Sequence, residues 1–327
     1  MAKIKKAAAA GAVMINIIMC ISFSACGGSG DEGNTKELNV IQQYGMAYAP
    51  LKVMEEQKLV EKNYDGEVTV NYSVLNSGGT INDAFVSGDA DIGAMGVAPA
   101  ITGVMSGVPY KICTNVSSQP HRLMTNDKSI KTLGNIENGD KIALVNIGSI
   151  QHILLAMACE EQLGDAHALD NNLAPMAHPD GMTSLLSGDV DCQLTTSPYV
   201  FKEADEGMTE VEALKSVWPE GNSFIVAVAS EELQEKNPKL YKAVVDAFDE
   251  AISWINDNKQ EAAELLCTDE EVDAETMLSW LNDPACSYST ELKGVMDMAE
   301  FMDENGFLEV EGPASISDLA YDNVKGQ

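Results

Sequence analysis

The chain has 327 residues, with 51 acidic side chains against 20 lysines and arginines, for a formal charge of −31 at pH 7. A surface of that sign repels nucleic acid and anionic lipid headgroups, which excludes both as partners held by charge. The length suffices for two α/β lobes, each with its own core.

Residues 1–25 read as a signal segment. Lys3, Lys5 and Lys6 precede an apolar run over 7–23 that is short for a membrane span. Ser24 and Ala25 then lead into Cys26 in the manner of a bacterial lipobox, although Phe23 stands where leucine is most common. Cys26 is then the lipidated N-terminus. Residues 26–36, glycine-rich and polar, form a flexible tether with a reach of roughly 17 Å. The alternative is a plain secreted protein with an incidental cysteine.

In chain order, 38–42 reads as a strand and 44–48 as the loop at its C-terminal end. Pro50 opens a helix to about 62, with Leu51, Met54 and Leu59 on one face. Residues 67–74 alternate as a strand, and Ser77-Gly78-Gly79-Thr80 feeds the next helix. A helix over 98–105 and a strand over 110–116 complete the first part of lobe one, 37–117. Lobe two, 118–219, holds strands at 141–145 and 173–177 and a helix over 150–161. A buried strand over 224–229 returns to lobe one, 220–327. Beyond it the chain reads as helical throughout, with Asn237-Pro238 as cap and first-turn proline and further helices near 258–267, 273–282 and 289–304.

One pattern occurs twice: Ser87-Gly88-Asp89-Ala90-Asp91 and Ser187-Gly188-Asp189-Val190-Asp191. Each follows a short amphipathic helix and precedes a strand-like run. Glycine ends the helix and aspartates favour the turn into the strand. Two such units predict two similar α/β lobes with mainly parallel sheets. Ligands of such sheets bind beyond the strands' C-terminal ends. That rule selects the loops 44–48, 76–80, 95–99, 146–152, 178–181 and 195–199, and a cleft between the lobes.

The candidate ligand-binding residues follow. Ser77, Gly78, Gly79 and Thr80, with Gly148 and Ser149 opposite, present N–H groups and hydroxyls at helix N-termini, suited to an anionic or carbonyl group. Arg122, the chain's single arginine, is a candidate clamp for sulfonate, carboxylate or phosphate. Tyr44, Tyr48 and Trp218 are candidates to stack on a ring. Met95, His152, His178, Thr195 and Thr196 complete the set. No two of the four histidines make an HxxxH or HxH pair and no cysteines make CxxC, so neither a metal nor any other cofactor is expected. Cys267 and Cys286 could pair or stay free.

The chain as a whole resembles the solute-binding proteins of ABC importers that handle sulfonates, taurine, nitrate and thiamine-pyrimidine precursors. The resemblance rests on Tyr48-Ala49-Pro50-Leu51, Glu56-Gln57-Lys58-Leu59-Val60, Asn76 to Thr80, both SGDxD units, Gly148-Ser149-Ile150-Gln151-His152 and Asn237-Pro238-Lys239-Leu240-Tyr241-Lys242. It implies the type II periplasmic-binding-protein fold, capture of a small molecule by lobe closure, and partners in a permease and its ATPase. It also implies a monomer outside the cytoplasm, anchored to the membrane only through lipid. A small anion such as an organic sulfonate is the favoured ligand, a pyrimidine-type heterocycle the alternative. A pyrimidine-precursor synthase shares the fold but carries adjacent cysteines, which this chain lacks. An extracytoplasmic enzyme or a sensor on the same fold are the competing classes.

Overall fold

The computed structural model describes residues 36–326; the signal segment, Cys26 and most of the tether lie outside them. A six-stranded sheet has the order β11-β4-β10-β3-β1-β2, from β1 Lys36–Gln42, β2 Val68–Val74, β3 Ile92–Gly96, β4 Tyr110–Ser118, β10 Ile225–Ser230 and β11 Ser287–Tyr288. A five-stranded sheet has the order β7-β6-β8-β5-β9, from β5 His121–Thr125, β6 Ile142–Leu144, β7 Leu173–Pro175, β8 Cys192–Thr196 and β9 Thr209–Val211. The chain passes from the first sheet to the second between β4 and β5, and back between β9 and β10. We call the two α/β layers lobe one and lobe two.

Most strands of each sheet run in one direction, β1, β2, β3 and β4 in the first and β6, β7, β8 and β9 in the second, with reversed strands set among them. β1 runs parallel to β2 and β3, and β6 to β7 and β8. The strands nearest the crossings reverse direction: β10 is antiparallel to β3 and β4, and β5 to β8 and β9. A strand that enters from the other lobe arrives at the opposite end of the sheet, so antiparallel pairing is the short connection.

Helices α1 Ala49–Gln57, α2 Leu59–Asn63, α3 Gly78–Ser87 and α4 Val97–Met105 belong to lobe one, and α5 Ile150–Leu163, α6 His178–Ser187 and α7 Tyr199–Asp205 to lobe two. The C-terminal block holds α8 Glu231–Lys236, α9 Pro238–Asp257, α10 Lys259–Leu266, α11 Ala274–Leu281, α12 Val295–Glu304 and α13 Ile316–Leu319. Asn237 caps α9 by accepting the Leu240 N–H, Pro238 holds its first turn, and Leu240, Val244, Phe248 and Ile255 are buried on one stripe. That stripe packs on α1, α2 and β4. The expected helix over 289–304 begins only at Val295. Two-residue strands precede it, and Ser287–Tyr288 pairs with β4, too short a segment to show a period of two.

Both SGDxD units have the same geometry. Gly88 and Gly188 end α3 and α6 with φ of 81° and 80°. Ser87 and Ser187 donate to Asp89 and Asp189. Asp91 accepts the Asn39 N–H on β1 at 2.8 Å, and Asp191 the Lys141 N–H before β6, also at 2.8 Å. The last aspartate of each unit therefore ties its turn to the neighbouring parallel strand.

Candidate functional site

A small cavity of about 20 Å³ lies where the two lobes meet. Its walls come from the C-terminal ends of the parallel strands and the first turns of the helices that follow. From lobe one come Gln43 and Tyr44 after β1, Tyr48, Asn76 after β2, Gly78 of α3, and Gly96 with Pro99 at the β3–α4 junction. From lobe two come Asn146 after β6, Ser149 to Gln151 at the start of α5, His178 at the start of α6, and Thr196 at the end of β8. Phe224 and Ile225 close the floor.

Three side-chain atoms on these walls are buried without a hydrogen-bond partner: Asn146 Oδ1, His178 Nδ1 and Thr196 Oγ1. Buried polar atoms normally carry a partner, so these three are free to bond a solute. Gln151 Nε2 lies 3.1 Å from His178 Nε2, and the His178 ring stacks on Tyr199. Burial lowers the His178 pKa to about 4, so the ring is neutral at physiological pH. None of the lining residues is Asp, Glu, Lys or Arg. A strongly acidic chain thus presents an uncharged cavity faced by the N-termini of α3 and α5.

A wider cavity of about 330 Å³ adjoins it and shares Gln43, Tyr44 and Tyr48. Lys52, Asp269 and Glu270 reach its wall. Tyr44, 43% exposed, stands between the two. Gly45 has φ of 104°, and a Cβ there would sit 2.9 Å from the Ser197 carbonyl. Only glycine lets this lobe-one turn approach lobe two so closely.

Six of the fifteen candidate residues line the small cavity: Tyr44, Tyr48, Gly78, Ser149, His178 and Thr196. Ser77 and Thr80 are occupied with each other in a capping box at the α3 N-terminus. Gly79 lies beside them, with Asn146 Nδ2 3.9 Å from where its Cβ would be. Met95 is fully buried beneath Tyr110. Thr195 points to the opposite sheet face from Thr196, as the pleat requires, and lies against the buried Glu203 of α7. Trp218 is buried in the return crossing against Gly294. His152 turns away from the cavity, bonding the Gly148 N–H and facing Asp170. Arg122 pairs with Glu210 of β9 at 3.4 Å, outside both cavities. Cys267 and Cys286 are both free thiols. Gln43, Asn146, Gln151 and Phe224 line the cavity without having been singled out. Asn146 and Gln151 sat inside a selected loop, and Gln43 directly follows β1.

The family model described as NMT1-like matches residues 32–268. Among curated protein sequences none matches the chain. Among solved structures, the alkanesulfonate-binding protein SsuA of Xanthomonas axonopodis pv. citri, bound to MOPS, is similar with a TM-score of 0.72 at 14% identity, over 87% of this chain and 98% of that one. The aliphatic sulphonate-binding protein SsuA of Escherichia coli gives 0.68 at 19% identity, over 88% and 98%. The periplasmic nitrate-binding protein NrtA of Synechocystis PCC 6803 gives 0.61 at 18% identity, over 75% and 70%. These likenesses establish the periplasmic-binding-protein fold.

Proposed function

The chain belongs to the NMT1-like family, and we propose that it is the extracytoplasmic solute-binding component of an ABC importer, without catalytic activity of its own. The observation that carries this reading is the uncharged cavity between the lobes, with three unpartnered polar atoms on its lobe-two wall. Such a site offers hydrogen bonds but no nucleophile beside a base. Residues 118–219 move as one lobe against 37–117 and 220–327; the cavity of about 20 Å³ is the size of about one water, so the solute is enclosed with the lobes further apart than they stand here. Lipidation at Cys26 tethers the protein to the outer face of the membrane, where a permease and ATPase take over the cargo.

The favoured solute is an organic sulfonate or other small anion, the class named for the structural relatives. With Arg122 engaged by Glu210, the anion would be held by N–H groups at the α3 and α5 N-termini together with the His178 Nδ1 and Thr196 hydroxyl donors; Asn146 Oδ1, whose Nδ2 already donates to the Ile147 carbonyl, accepts only and suits an N–H or O–H on the solute. A neutral pyrimidine-type ring is the second reading, favoured by Tyr44 and Tyr48 on the wall and by the absence of a charged side chain. A thermal-unfolding panel of sulfonates, nitrate, thiamine and pyrimidine bases decides between them. A solute at a hundred times its dissociation constant adds about 2.7 kcal/mol, which moves the midpoint by several degrees. A shift with anions supports the first reading, a shift with pyrimidines the second, and none with either class overturns both.

A further inference from the structure

Away from the crossings, lobe two meets the C-terminal block of lobe one on its α7 side and on its α5 side, both outside the cavity. On the α7 side, Phe201 stacks on Trp280 of α11 with centroids 5.5 Å apart, and Lys202 pairs with Glu270 at 3.1 Å. On the α5 side, a line of polar groups runs from the cavity's lip to lobe one. The Gly148 N–H donates to His152 Nδ1 at 3.0 Å. His152 Nε2 faces Asp170 Oδ1 at 3.4 Å. His167 Nδ1 faces Asp170 Oδ2 at 2.8 Å, and His167 Nε2 faces the Asn305 carbonyl at 3.0 Å. Asn305 follows α12, which packs on α4 of lobe one. The His152 and His167 rings rest on Phe307, with centroids 5.4 and 4.9 Å away.

Counting protons along this line assigns a charge. His152 Nδ1 accepts from Gly148, so the one proton of a neutral ring sits on Nε2 and points at Asp170. A neutral His152 satisfies both of its contacts. His167 does not have that freedom. Both of its nitrogens face oxygens that only accept, a carboxylate and a carbonyl. Making both hydrogen bonds requires the imidazolium; a neutral ring keeps one and sets a lone pair against the other oxygen.

We propose that His167 is a proton-dependent latch between the lobes, its imidazolium joining Asp170 of lobe two to the Asn305 carbonyl of lobe one. The latch extends the solute-binding reading, because it acts on the lobe closure that reading invokes. Its inner end is Gly148, next to Ser149 on the cavity wall, so latching also fixes the lip at the α5 N-terminus. His167 and Asp170 do not touch the cavity; they are positioning residues.

The groups facing His167 act in opposite senses: the oxygens favour the charged ring, while burial and, whenever it is protonated, His152 oppose it. From lobe two the facing groups are Asp170, Asp165, which accepts the His167 backbone N–H at 2.9 Å, and His152 beyond Asp170. From lobe one they are the Asn305 carbonyl and the Phe307 ring. The bond to Asp170, then that to Asn305, raises the His167 pKa above its ordinary value, whereas burial lowers that of His152. Part of the rise exists only while the lobes touch. Contact is therefore favoured fully below the ordinary histidine value and weakens as pH rises through the raised one.

The test uses the whole protein without solute, so it reads lobe contact independently of any cargo. Nitrogen-15 spectra of the four histidine rings, recorded from pH 5.5 to 8.5, report protonation. Small-angle scattering over the same range reports the radius of gyration. We expect His167 to be doubly protonated beyond the pH at which a free imidazole loses its proton, with His152 neutral and protonated on Nε2. We expect the radius of gyration to rise as His167 titrates, and that pH-dependent step to be lost in His167→Gln and Asp170→Asn, whose thermal midpoints at pH 8.5 match the parent. An ordinary His167 titration, a radius indifferent to pH, or the same step in both variants overturns the latch. Failure of the solute-binding reading would appear in the thermal panel and leave this measurement untouched.

Discussion

Gly96→Val should force the lobes apart while leaving each lobe intact. Gly96 ends β3 in lobe one with φ of −57° and ψ of 149°, a backbone region open to any L residue. A Cβ there would lie 2.8 Å from Ile150 Cγ2 and 3.0 Å from Ile150 Cβ, both across the boundary in lobe two, with Pro99 Cδ at an ordinary 3.5 Å. The clash falls on the contact between lobes. Overpacking costs roughly 1–3 kcal/mol, and here that cost is borne by the closed arrangement alone. At a factor of ten per 1.4 kcal/mol, solute affinity falls about fivefold to 150-fold. Losing a glycine also restricts the unfolded chain, worth about 0.4–1 kcal/mol of stability. The signature is a thermal midpoint held or raised without solute, a larger radius of gyration, and weaker binding by calorimetry. Parental affinity with a parental radius would refute the reasoning.

The remaining predictions concern the cavity wall, a buried acid and a cap. Thr196→Val removes a buried hydroxyl that has no partner; stability should hold or rise, while solute affinity falls by about 1 kcal/mol or more, read by titration calorimetry. Arg122→Ala, which breaks only the pair with Glu210, should leave that affinity unchanged. Glu203 is fully buried on α7 and burial pushes its carboxyl up to about 8. The native state therefore holds a proton that the unfolded chain releases above its ordinary carboxylate value, about 4.5. Stability should fall by about 1.4 kcal/mol per pH unit between those values. Urea midpoints at several pH values should show that slope reduced in Glu203→Gln; an unchanged slope would count against the assignment. Ser77→Ala dismantles the capping box of α3 and should cost about 1 kcal/mol, read by urea unfolding.

Much of the architecture was legible because it is written locally. The two SGDxD units stop a helix, turn and start a strand, and their aspartates bond neighbouring backbone in the same way in both lobes. Asn237-Pro238 begins α9 as its capping chemistry dictates. What the sequence hid depends on chain reversal and on distant partners. Phe224 reaches the cavity floor because β10 is antiparallel to β3, with Ile225 opposite Gly96; a rule about parallel strand ends does not find it. Arg122 attracted a binding role as the single arginine, but its partner Glu210 lies on β9, a three-residue strand with no visible period. His178 to Gly181 read as a loop and form the first turn of α6, where Pro179 is favourable rather than disruptive. His152 and Ser149 are three residues apart at the α5 N-terminus, yet one turns toward Asp170 and the other lines the cavity.

In the proposed function a single solute is held between the lobes by the uncharged wall of Asn146, His178 and Thr196 and is returned unaltered. Titration calorimetry of the solute identified by the thermal panel, with the solute recovered afterwards and analysed by mass spectrometry, tests it most directly. One solute bound per chain and recovery of the same molecule are expected. Recovery of a chemically changed molecule, or binding in a ratio other than one to one, would contradict that function.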